Sequence, residues 1–427
     1  MAGRHQQGIP GLYGGDARGL YGSRSYGQRG TMIYGKQPSP RWPKLLLALL
    51  IAIIVVLCTK QFACGGIIPK EEAAEDQTRQ QEQIVEETTL DDTEETVSGV
   101  SATLKITALG DCTLGTDADF DTETNFDTVY NKNKADYFFK RALKYTQDDD
   151  LTIANLEGPL TESSEAADKG EGSYNFKGPK SYSKILKKGS VEICSLANNH
   201  SFDYGETGYE DTKAALDETK IGYACGDLTY VKTVNDIKVG YLAINATAGY
   251  DDAQEMLTED MKTLEGEDCD LVIAEFHWGT EGNYNTDDEQ VTLAHAAIDA
   301  GANLVIGCHP HVLQGVELYK DSYILYSLGN FVFGGNDNPK DYSTMLFQQT
   351  FTFENGELVT DTSLKSAQII PFRVSTSKTI NNYQPIALGG DEGVAIVKNV
   401  NKYSKALSGS GVTFSTKLDD NDVAAVK

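Results

Sequence analysis

With 427 residues, 40% of them hydrophobic, the chain can bury a sizeable core in one large domain or two ordinary ones, which excludes disorder along its whole length. Its formal net charge is −26, although residues 1–44 carry seven Lys or Arg against the single acidic residue Asp16. The chain after the apolar run within residues 44–63 is strongly acidic. Such a surface repels polyanions, so we expect no nucleic acid partner.

Residues 1–43 form the first segment, built from Gly, Tyr, Arg and Ser with the loose repeat LYGG, LYGS, SYGQ and IYGK. With few aliphatic residues to bury, this composition predicts a disordered cytoplasmic tail. Its spaced tyrosines could be phosphorylation or stacking sites. A solvated segment of low sequence complexity, without a specific role for the tyrosines, is the simpler interpretation.

Residues 44–63 are the next segment and contain fourteen consecutive apolar residues within KLLLALLIAIIVVLCT. With Trp42 and the residues up to Ala63, the stretch approaches the ~20 residues that span a bilayer. Cations precede it and an acidic tract follows, so the positive-inside rule places the N-terminus in the cytoplasm and the C-terminal domain outside the cell. The long basic leader and the poor match of QFAC to a lipoprotein signal favour an uncleaved single-pass membrane anchor over cleavage or a buried core helix. The acidic residues 64–99 then predict an extended linker.

The residue pattern of 100–405 is typical of a folded α/β domain. Amphipathic helical spacing appears at 134–147, 206–220 and 287–300. We predict strands in the apolar runs at 104–111, 150–157, 191–199, 239–246, 270–279, 303–310 and 323–333. Strands that alternate with helices predict layered sheets covered by helices, and near-continuous apolar strands indicate that both sheet faces are buried.

The last 80 or so residues favour β structure and turns. Asn355 and Gly356 lie between two alternating runs and predict a hairpin turn. Residues 406–427 are polar, and we expect this C-terminal tail to fray.

Seven cysteines, with no CxxC pair, exclude a zinc ribbon or a small disulfide scaffold. Cys194, Cys225 and Cys269 lie in or beside apolar runs and are expected to be buried thiols. Cys112 and Cys308 each adjoin a candidate metal ligand, so a ligand role, a disulfide between them and simple packing all stay open.

Polar residues collect at the carboxyl ends of the predicted strands, where open α/β sheets bind ligands. They are Asp111, Asn155, Glu157, Asn198, Asn199, His200, His277, His309 and His311. Mixed oxygen and nitrogen donors suit a divalent transition metal such as Mn, Zn or Fe better than calcium. Because one ion needs only three or four protein ligands, the set predicts two ions roughly 3.5 to 4 Å apart with a bridging carboxylate. His309 and His311, on a turn stiffened by Pro310, would project toward different ions.

Each of these residues also has a simpler interpretation. An aspartate at a strand end, such as Asp111, commonly caps a turn or a helix. Glu157 precedes Gly-Pro, which is typical of a solvated turn, and the sequence ANNH resembles an ordinary loop. We assign structural roles to His295, in a helical stretch, and to His5, in the tail. Four of the six histidines lie at predicted strand ends beside acids and amides, which favours a site.

Six ordered motifs carry a resemblance to a known family. GDCTLG, NLEGPLT, SLANNHSFDYGETG, FHWGTE, GCHPHVLQGVE and YSLGNFVF, within residues 104–334, resemble the CapA-type poly-γ-glutamate capsule biosynthesis proteins of the calcineurin-like metallophosphoesterase superfamily. The resemblance extends to IIPFRV at 369–374 and implies a four-layered α/β/β/α sandwich with a dimetal centre.

The resemblance also implies residue roles. Asp111, Asn199, His277, His309 and His311 match metal ligands, and His200 matches the phosphate-contacting histidine. Two departures stand out, because Thr113 occupies the place of a usual histidine and Glu157 lies where an aspartate usually bridges the ions.

The expected function is that of a membrane-anchored, extracytoplasmic protein of poly-γ-glutamate biosynthesis or export, with the membrane, the polymer and other capsule-synthesis proteins as partners. If the site is hydrolytic, Asp111 and His200 are the catalytic candidates, and His200 would stabilise the transition state or protonate the leaving oxygen. Three alternatives stay open: metals that only serve structure or polymer binding, a free-standing phosphoesterase acting on a cell-envelope substrate, and peptidase-like attack on γ-glutamyl links.

Overall fold

The computed structural model describes residues 101–120, 123–170, 172–336, 338–407 and 409–427. The predicted tail, anchor and linker, at 1–43, 44–63 and 64–99, lie outside these residues. Within the described part of the chain, every helix is too short or too polar to cross a membrane.

The described strands form two sheets. In chain order they are β1 (Ser101–Thr113), β2 (Leu151–Leu156), β3 (Ile193–Ser195), β4 (Gly222–Ala224), β5 (Tyr230–Val234), β6 (Ile237–Asn245), β7 (Leu271–His277), β8 (Leu304–Cys308), β9 (Val316–Tyr319), β10 (Ser322–Leu325), β11 (Asn330–Phe333), β12 (Ser343–Glu354), β13 (Glu357–Leu358), β14 (Gln368–Arg373), β15 (Ile386–Ala387) and β16 (Ala424–Ala425). The larger sheet has the order β15-β14-β12-β1-β2-β3-β4, with β11 on β1, β13 on β12 and β16 on β14. The smaller sheet has the order β5-β6-β7-β8-β10-β9.

Helices connect many of the strands and cover the sheets. They are α1 (Phe126–Asn133), α2 (Leu143–Thr146), α3 (Ser183–Lys188), α4 (Gly205–Thr219), α5 (Tyr250–Glu265), α6 (Asp288–Asp299), α7 (Thr360–Lys365) and α8 (Gly390–Lys405). Helix α6 begins with a capping box, because Asp287 accepts from the Gln290 amide at 2.8 Å and the Gln290 side chain accepts from the Asp287 amide at 3.1 Å. Helices α4 and α6 agree with the predictions for 206–220 and 287–300 to within one residue at each end.

The two sheets pack face to face, with helices on their outer faces. Ile106 of β1 and Tyr241 of β6 belong to one buried cluster between the sheets. Leu186 of α3 and Leu216 of α4 pack on the outer face of the larger sheet, and residues of α5 and α6 cover the smaller sheet. This layering fits the predicted α/β/β/α sandwich.

Three predicted elements differ from the structure. The run 323–333 is two strands in different sheets, because the chain leaves the smaller sheet after β10 and joins the larger one at β11, with Gly329 at φ 71° at the crossing. The helix expected over 134–147 is broken into a 3₁₀ turn at Ala135–Tyr137 and the short α2, since Phe138 and Phe139 between them turn into the core. Helix α8 forms where β structure and turns were expected, and its apolar face enters the core between the sheets.

The C-terminal region confirms one prediction and corrects another. Asn355, at φ 55°, and Gly356, at φ 84°, form the turn between β12 and β13, as predicted. The expected fraying of 406–427 is wrong, because β16 pairs with β14 and Phe414 is fully buried in the core between the sheets. Nine of the 22 residues at 406–427 are apolar, a fraction close to the 40% of the whole chain, and several of them supply buried contacts.

Candidate metal centre

Parallel strand pairing brings the predicted site residues to one edge. Asp111 of β1 is in register with Asn155 of β2 and with Asn330 of β11, and His277 ends β7 beside Cys308 of β8. The loops after β2, β3 and β8 carry the remaining predicted residues to the same place. The structure therefore gathers Asp111, Glu157, Asn199, His200, His277, His309 and His311 into one cluster.

Glu157 lies at the centre of this cluster. Its Oε1 is 3.6 Å from Nε2 of His311 and 3.9 Å from Nε2 of both His200 and His277. The side chain is fully buried, and neither carboxylate oxygen forms a hydrogen bond with a described residue. Burying an ionisable group without hydrogen bonds is unfavourable, so the position suits a residue that binds a cation.

Asp111 and His311 lie directly beside Glu157. Asp111 Oδ1 accepts from Asn155 Nδ2 at 2.8 Å, and its Oδ2 is 3.2 Å from His311 Nδ1. Asp111, Glu157 and His311 each offer a ligand atom, and these atoms lie within 4.8 Å of one another. This is a carboxylate–carboxylate–imidazole set of the kind that holds a divalent metal.

The two acids and His311 are strongly coupled electrostatically. Burial disfavours the charged form of Asp111, but His311, Asn155 and His309 together outweigh burial and lower the pKa of Asp111. Burial raises the pKa of Glu157, with His311 opposing it. For His311 burial acts to lower the pKa, and the two carboxylates reverse this and raise it. Protonated His311 thus supplies positive charge between the acids, a role that a bound cation would take over from it.

His277 and His309 form the other side of the cluster. His309 Nδ1 is 3.1 Å from His277 Nε2, which is also 2.8 Å from Asn199 Oδ1. Burial, followed by the neighbouring imidazoles, lowers the pKa of His277 well below its usual value and that of His309 to about 4. Both rings are therefore neutral at physiological pH, which is the protonation state that binds a metal.

The His-Pro-His turn has an unusual backbone. His309 has φ 96° and His311 has φ 56°, and residues other than Gly rarely have a positive φ. Each such residue costs on the order of 1–3 kcal/mol, and the conformation persists only where surrounding contacts impose it. The turn directs both imidazoles into the cluster, and the expectation that they project toward different ions stays a prediction.

His200 is held by residues that the sequence did not single out. Its Nδ1 is 2.7 Å from Asp203 Oδ2, and its ring lies 4.5 Å from that of Phe176. Lys169 forms an ion pair with the buried Asp203 and lies 3.3 Å from the Asn199 carbonyl oxygen. Asp203 stands inside the SLANNHSFDYGETG motif, three residues after His200, and that spacing was an available signal. Lys169 comes from a distant loop and had none.

Glu281 is a further acid at the rim of the cluster. It stands in the FHWGTE motif, where only His277 was assigned a role, and it forms a second candidate metal group with His309 and His311. His295 has a structural role, as expected, because its Nε2 is 3.0 Å from Glu317 and its ring stacks on Tyr319 at 3.7 Å.

The cysteines beside the site are packing residues. Cys112 and Cys308 are buried free thiols, so the disulfide that was left open does not form between them. Cys112 Sγ is 3.7 Å from the Gly110 carbonyl oxygen, and Cys308 Sγ is 3.6 Å from Glu275 Oε1. Burial raises the pKa of Cys112 to about 12, so this thiol is neutral and a poor metal ligand.

The donor set fits a divalent transition metal on its own chemistry. It combines the two Glu157 oxygens, which lack a hydrogen-bond donor among the described residues, with the neutral imidazoles of His277 and His309 and the amide oxygen of Asn199. Such mixed oxygen and nitrogen sets favour Mn, Fe or Zn.

Comparisons with known proteins identify the family of the chain. The family described as "Bacterial capsule synthesis protein PGA_cap" matches residues 105–335. The capsule biosynthesis protein CapA of Bacillus anthracis is 29% identical over 253 residues, which cover 54% of this chain and 60% of that protein. The PGA biosynthesis protein CapA of Bacillus subtilis is 32% identical over 227 residues, which cover 48% of this chain and 59% of that protein.

Among solved structures, a hypothetical protein from Thermus thermophilus has a TM-score of 0.37 and 17% identity, over 60% of this chain and 96% of that one. The matched part of this chain spans about 60% of the length of the Bacillus relatives. The family match covers more than half of the chain and includes the whole residue cluster. The chain therefore belongs to the PGA_cap family of bacterial capsule synthesis proteins, within the metallophosphoesterase-like superfamily.

Proposed function

We propose that this protein takes part in the biosynthesis or export of a poly-γ-glutamate capsule, through a site that holds two divalent cations. The family match and the names of the Bacillus relatives support the capsule role. The run of fourteen apolar residues within 44–63 supports a single-pass membrane anchor, with the folded domain on the outer side of the membrane.

The position of Glu157 carries the proposal for the cation site. Its buried carboxylate lies within 3.9 Å of the Nε2 atoms of three imidazoles, with no hydrogen bond to either oxygen from the described chain. A buried acid in such a place is best explained by a cation that it binds. The donors form two groups that share His311, which supports two ion positions, with Glu157 in the buried group.

Bound cations would polarise a substrate oxygen and lower the pKa of water. The chain's own contribution is to hold a proton at a defined atom. Because Asp203 contacts Nδ1 of His200, it orients the ring so that Nε2 lies on the side of Glu157. With Nδ1–H donated to Asp203, His200 Nε2 donates a proton to a leaving oxygen, or stabilises its negative charge, in the doubly protonated ring, and burial lowers the pKa of that ring.

Charge supports the use of cations for an acidic polymer. The chain has a formal net charge of −26, and poly-γ-glutamate is itself a polyanion that such a surface repels. Two divalent cations at the rim of the sheets would supply local positive charge where the polymer's carboxylates could bind. The site is therefore the place where we expect the polymer to contact the protein.

A free-standing metal-dependent phosphoesterase, acting on a cell-envelope substrate, is the second candidate. The oriented His200–Asp203 pair favours it, because such a pair suits proton transfer to an alkoxide leaving group. The two candidates differ in substrate, so hydrolysis of a generic phosphodiester without any effect on capsule formation would favour the phosphoesterase.

The test measures metal content and capsule formation together. We expect the full-length protein, purified in detergent, to carry Mn, Zn or Fe by elemental analysis, and Glu157→Gln to lose most of it because the isosteric amide cannot bind a cation as strongly. Glu317→Gln is the matched control, since Glu317 is also buried but contacts His295 and Tyr326 instead of the site. In the source organism, Glu157→Gln should abolish extracellular poly-γ-glutamate and Glu317→Gln should not. A metal-free native protein would overturn the cation site, and normal polymer production by the Glu157→Gln strain would overturn its role in the capsule.

A further inference from the structure

The loop that carries Glu281, residues 278–285, is anchored at its start by a buried tryptophan. Trp278 is fully buried, its Nε1 donates to the Tyr326 carbonyl oxygen at 2.9 Å, and its ring stacks on Phe276 at 4.9 Å. The next amide, of Gly279, donates to the Tyr250 hydroxyl at 3.0 Å. Trp278 is thus a packing residue that fixes where the loop leaves β7.

The same loop is tied to the His-Pro-His turn. The Gly282 amide donates to the Pro310 carbonyl oxygen at 2.8 Å, and Gln314 Nε2 donates to the carbonyl oxygens of Asn283 at 2.9 Å and Asn285 at 3.2 Å. Gly279 and Gly282, on either side of Glu281, have φ of 79° and 72°. These bonds hold an exposed glutamate at a fixed place, unlike the usual mobile surface acid.

The Glu281 carboxylate faces the histidines of that turn. Ligand atoms of Glu281, His309 and His311 all lie within 4.8 Å of one another. On its other side, His311 Nε2 is 3.6 Å from Glu157, whose oxygens lack hydrogen bonds from the described residues. His311 thus lies between a buried group, with Asp111 and Glu157, and a rim group, with Glu281 and His309.

We propose that Glu281 is a metal ligand and that, with His309, it forms the outer of two unequal cation subsites. This inference rests on the proposed cation site and adds a ligand and an order of binding to it. The inner subsite, at Asp111 and Glu157, is enclosed by buried side chains and holds its ion tightly. The outer ion exchanges with solvent more readily, because its carboxylate ligand is exposed and water reaches this subsite without any opening of the core.

Metal titration of the full-length protein tests the inference without relying on catalysis. Chelator-treated protein is titrated with Mn²⁺, and electron paramagnetic resonance of the free ion gives the stoichiometry and both dissociation constants. We expect two Mn²⁺ ions per native chain with separate affinities. Glu281→Gln should keep the tight ion and lose the weak one, or bind it roughly tenfold or more weakly.

Two further variants make the result specific. Glu255→Gln removes the same charge from an exposed position on α5 and should bind both ions as the native protein does. Glu281→Asp keeps a carboxylate and should restore part of the weak binding. Thermal unfolding of each chelator-treated variant checks that the fold is retained.

Each outcome of the titration has a defined meaning. Two ions bound to Glu281→Gln with native affinities would overturn the role of Glu281 and leave the two-cation site standing. Fewer than two ions in the native protein would overturn both proposals. Loss of the tight ion from a folded Glu281→Gln protein would overturn the assignment of Glu281 to the outer subsite.

Discussion

Glu275 is a second buried acid, and it lies beneath the candidate site between the two sheets. Tyr241 donates its hydroxyl to Oε2 at 2.7 Å, and Cys308 Sγ lies 3.6 Å from Oε1. Burial, opposed by these two hydrogen bonds, raises the pKa of Glu275 from its ordinary value of 4.5 to about 8. The side chain is therefore largely protonated at neutral pH, which explains how an acid is tolerated in an apolar layer.

The raised pKa of Glu275 predicts a pH-dependent stability. Between pH 4.5 and about 8 the folded state binds this proton and the unfolded state does not, so the stabilisation is full below pH 4.5 and is lost as pH rises to about 8. We expect the free energy of unfolding of chelator-treated protein, measured in urea, to fall more between pH 5 and 8.5 for the native chain than for Glu275→Gln. The difference should be on the order of a few kcal/mol.

The comparison with Glu275→Gln separates this residue from the other groups that titrate in the same range, since those are present in both proteins. Equal slopes of stability against pH in the two proteins would show that Glu275 has an ordinary pKa in the fold.

Residues at strand ends were predictable from the sequence because each directly follows an apolar run. Asp111, Glu157 and His277 were found in this way, and the structure brings them together. Lys169 was not found because its position depends on the path of a long loop, and Glu281 was missed although it stands four residues after His277 in FHWGTE. No local pattern encodes which distant loop meets a given strand end.

At the scale of elements, a pair of glycines lets β1 and β11 approach beside Asp111. A Cβ added to Gly110 would lie 1.8 Å from the Gly329 carbonyl oxygen, and that oxygen accepts from the Asp111 amide at 3.0 Å. The contact links the strand carrying Asp111 to the crossing between the two sheets. Only a residue without a side chain fits at position 110.

Gly110→Ala should therefore destabilise the fold and disturb the site. The clash is with backbone atoms that cannot rotate away, and overpacking of this kind costs about 1–3 kcal/mol. Urea unfolding measures the loss, and metal content measures the effect on Asp111. Gly266→Ala is the control, because its φ is −67° and its nearest atom would lie at 3.4 Å, so little change is expected. Equal stability of the two variants would contradict the close approach.

The same crossing explains an error at the element scale. Residues 323–333 have a continuous β-rich pattern, and the turn at Gly329 that divides them between two sheets leaves that pattern unchanged. Sheet membership depends on pairing with β8 for one half and with β1 for the other. Both pairings lie beyond the reach of local periodicity, since Tyr323 pairs with Leu304 and Asn330 with Asp111, so the pattern predicts the strands and not their division.

At the scale of the whole molecule, the alternation of strands and helices in the sequence predicts the layered fold class. It does not predict which segment closes the core between the sheets. The C-terminal segment closes it: the Phe414 amide donates to Asn401 of α8 at 2.8 Å, and the Val412 amide donates to Val316 of β9 at 2.9 Å. The polar and charged residues that separate the apolar ones concealed this, although 9 of the 22 residues at 406–427 are apolar and several of them fill the gap. The composition of a chain end is therefore a poor predictor of fraying, because burial of one or two of its side chains can hold the segment in place.

Phe414 gives the test of this closure. Its side chain is fully buried in the core between the sheets, and truncation of such a phenylalanine leaves a cavity that costs about 3–5 kcal/mol. We expect Phe414→Ala to lower the free energy of unfolding by that amount in urea, whereas Leu228→Ala, at a side chain that is 43% exposed, should change it by about 0.5 kcal/mol or less. If Phe414→Ala costs no more than Leu228→Ala, the segment frays as its composition predicts, and the core between the sheets is closed by α8 alone.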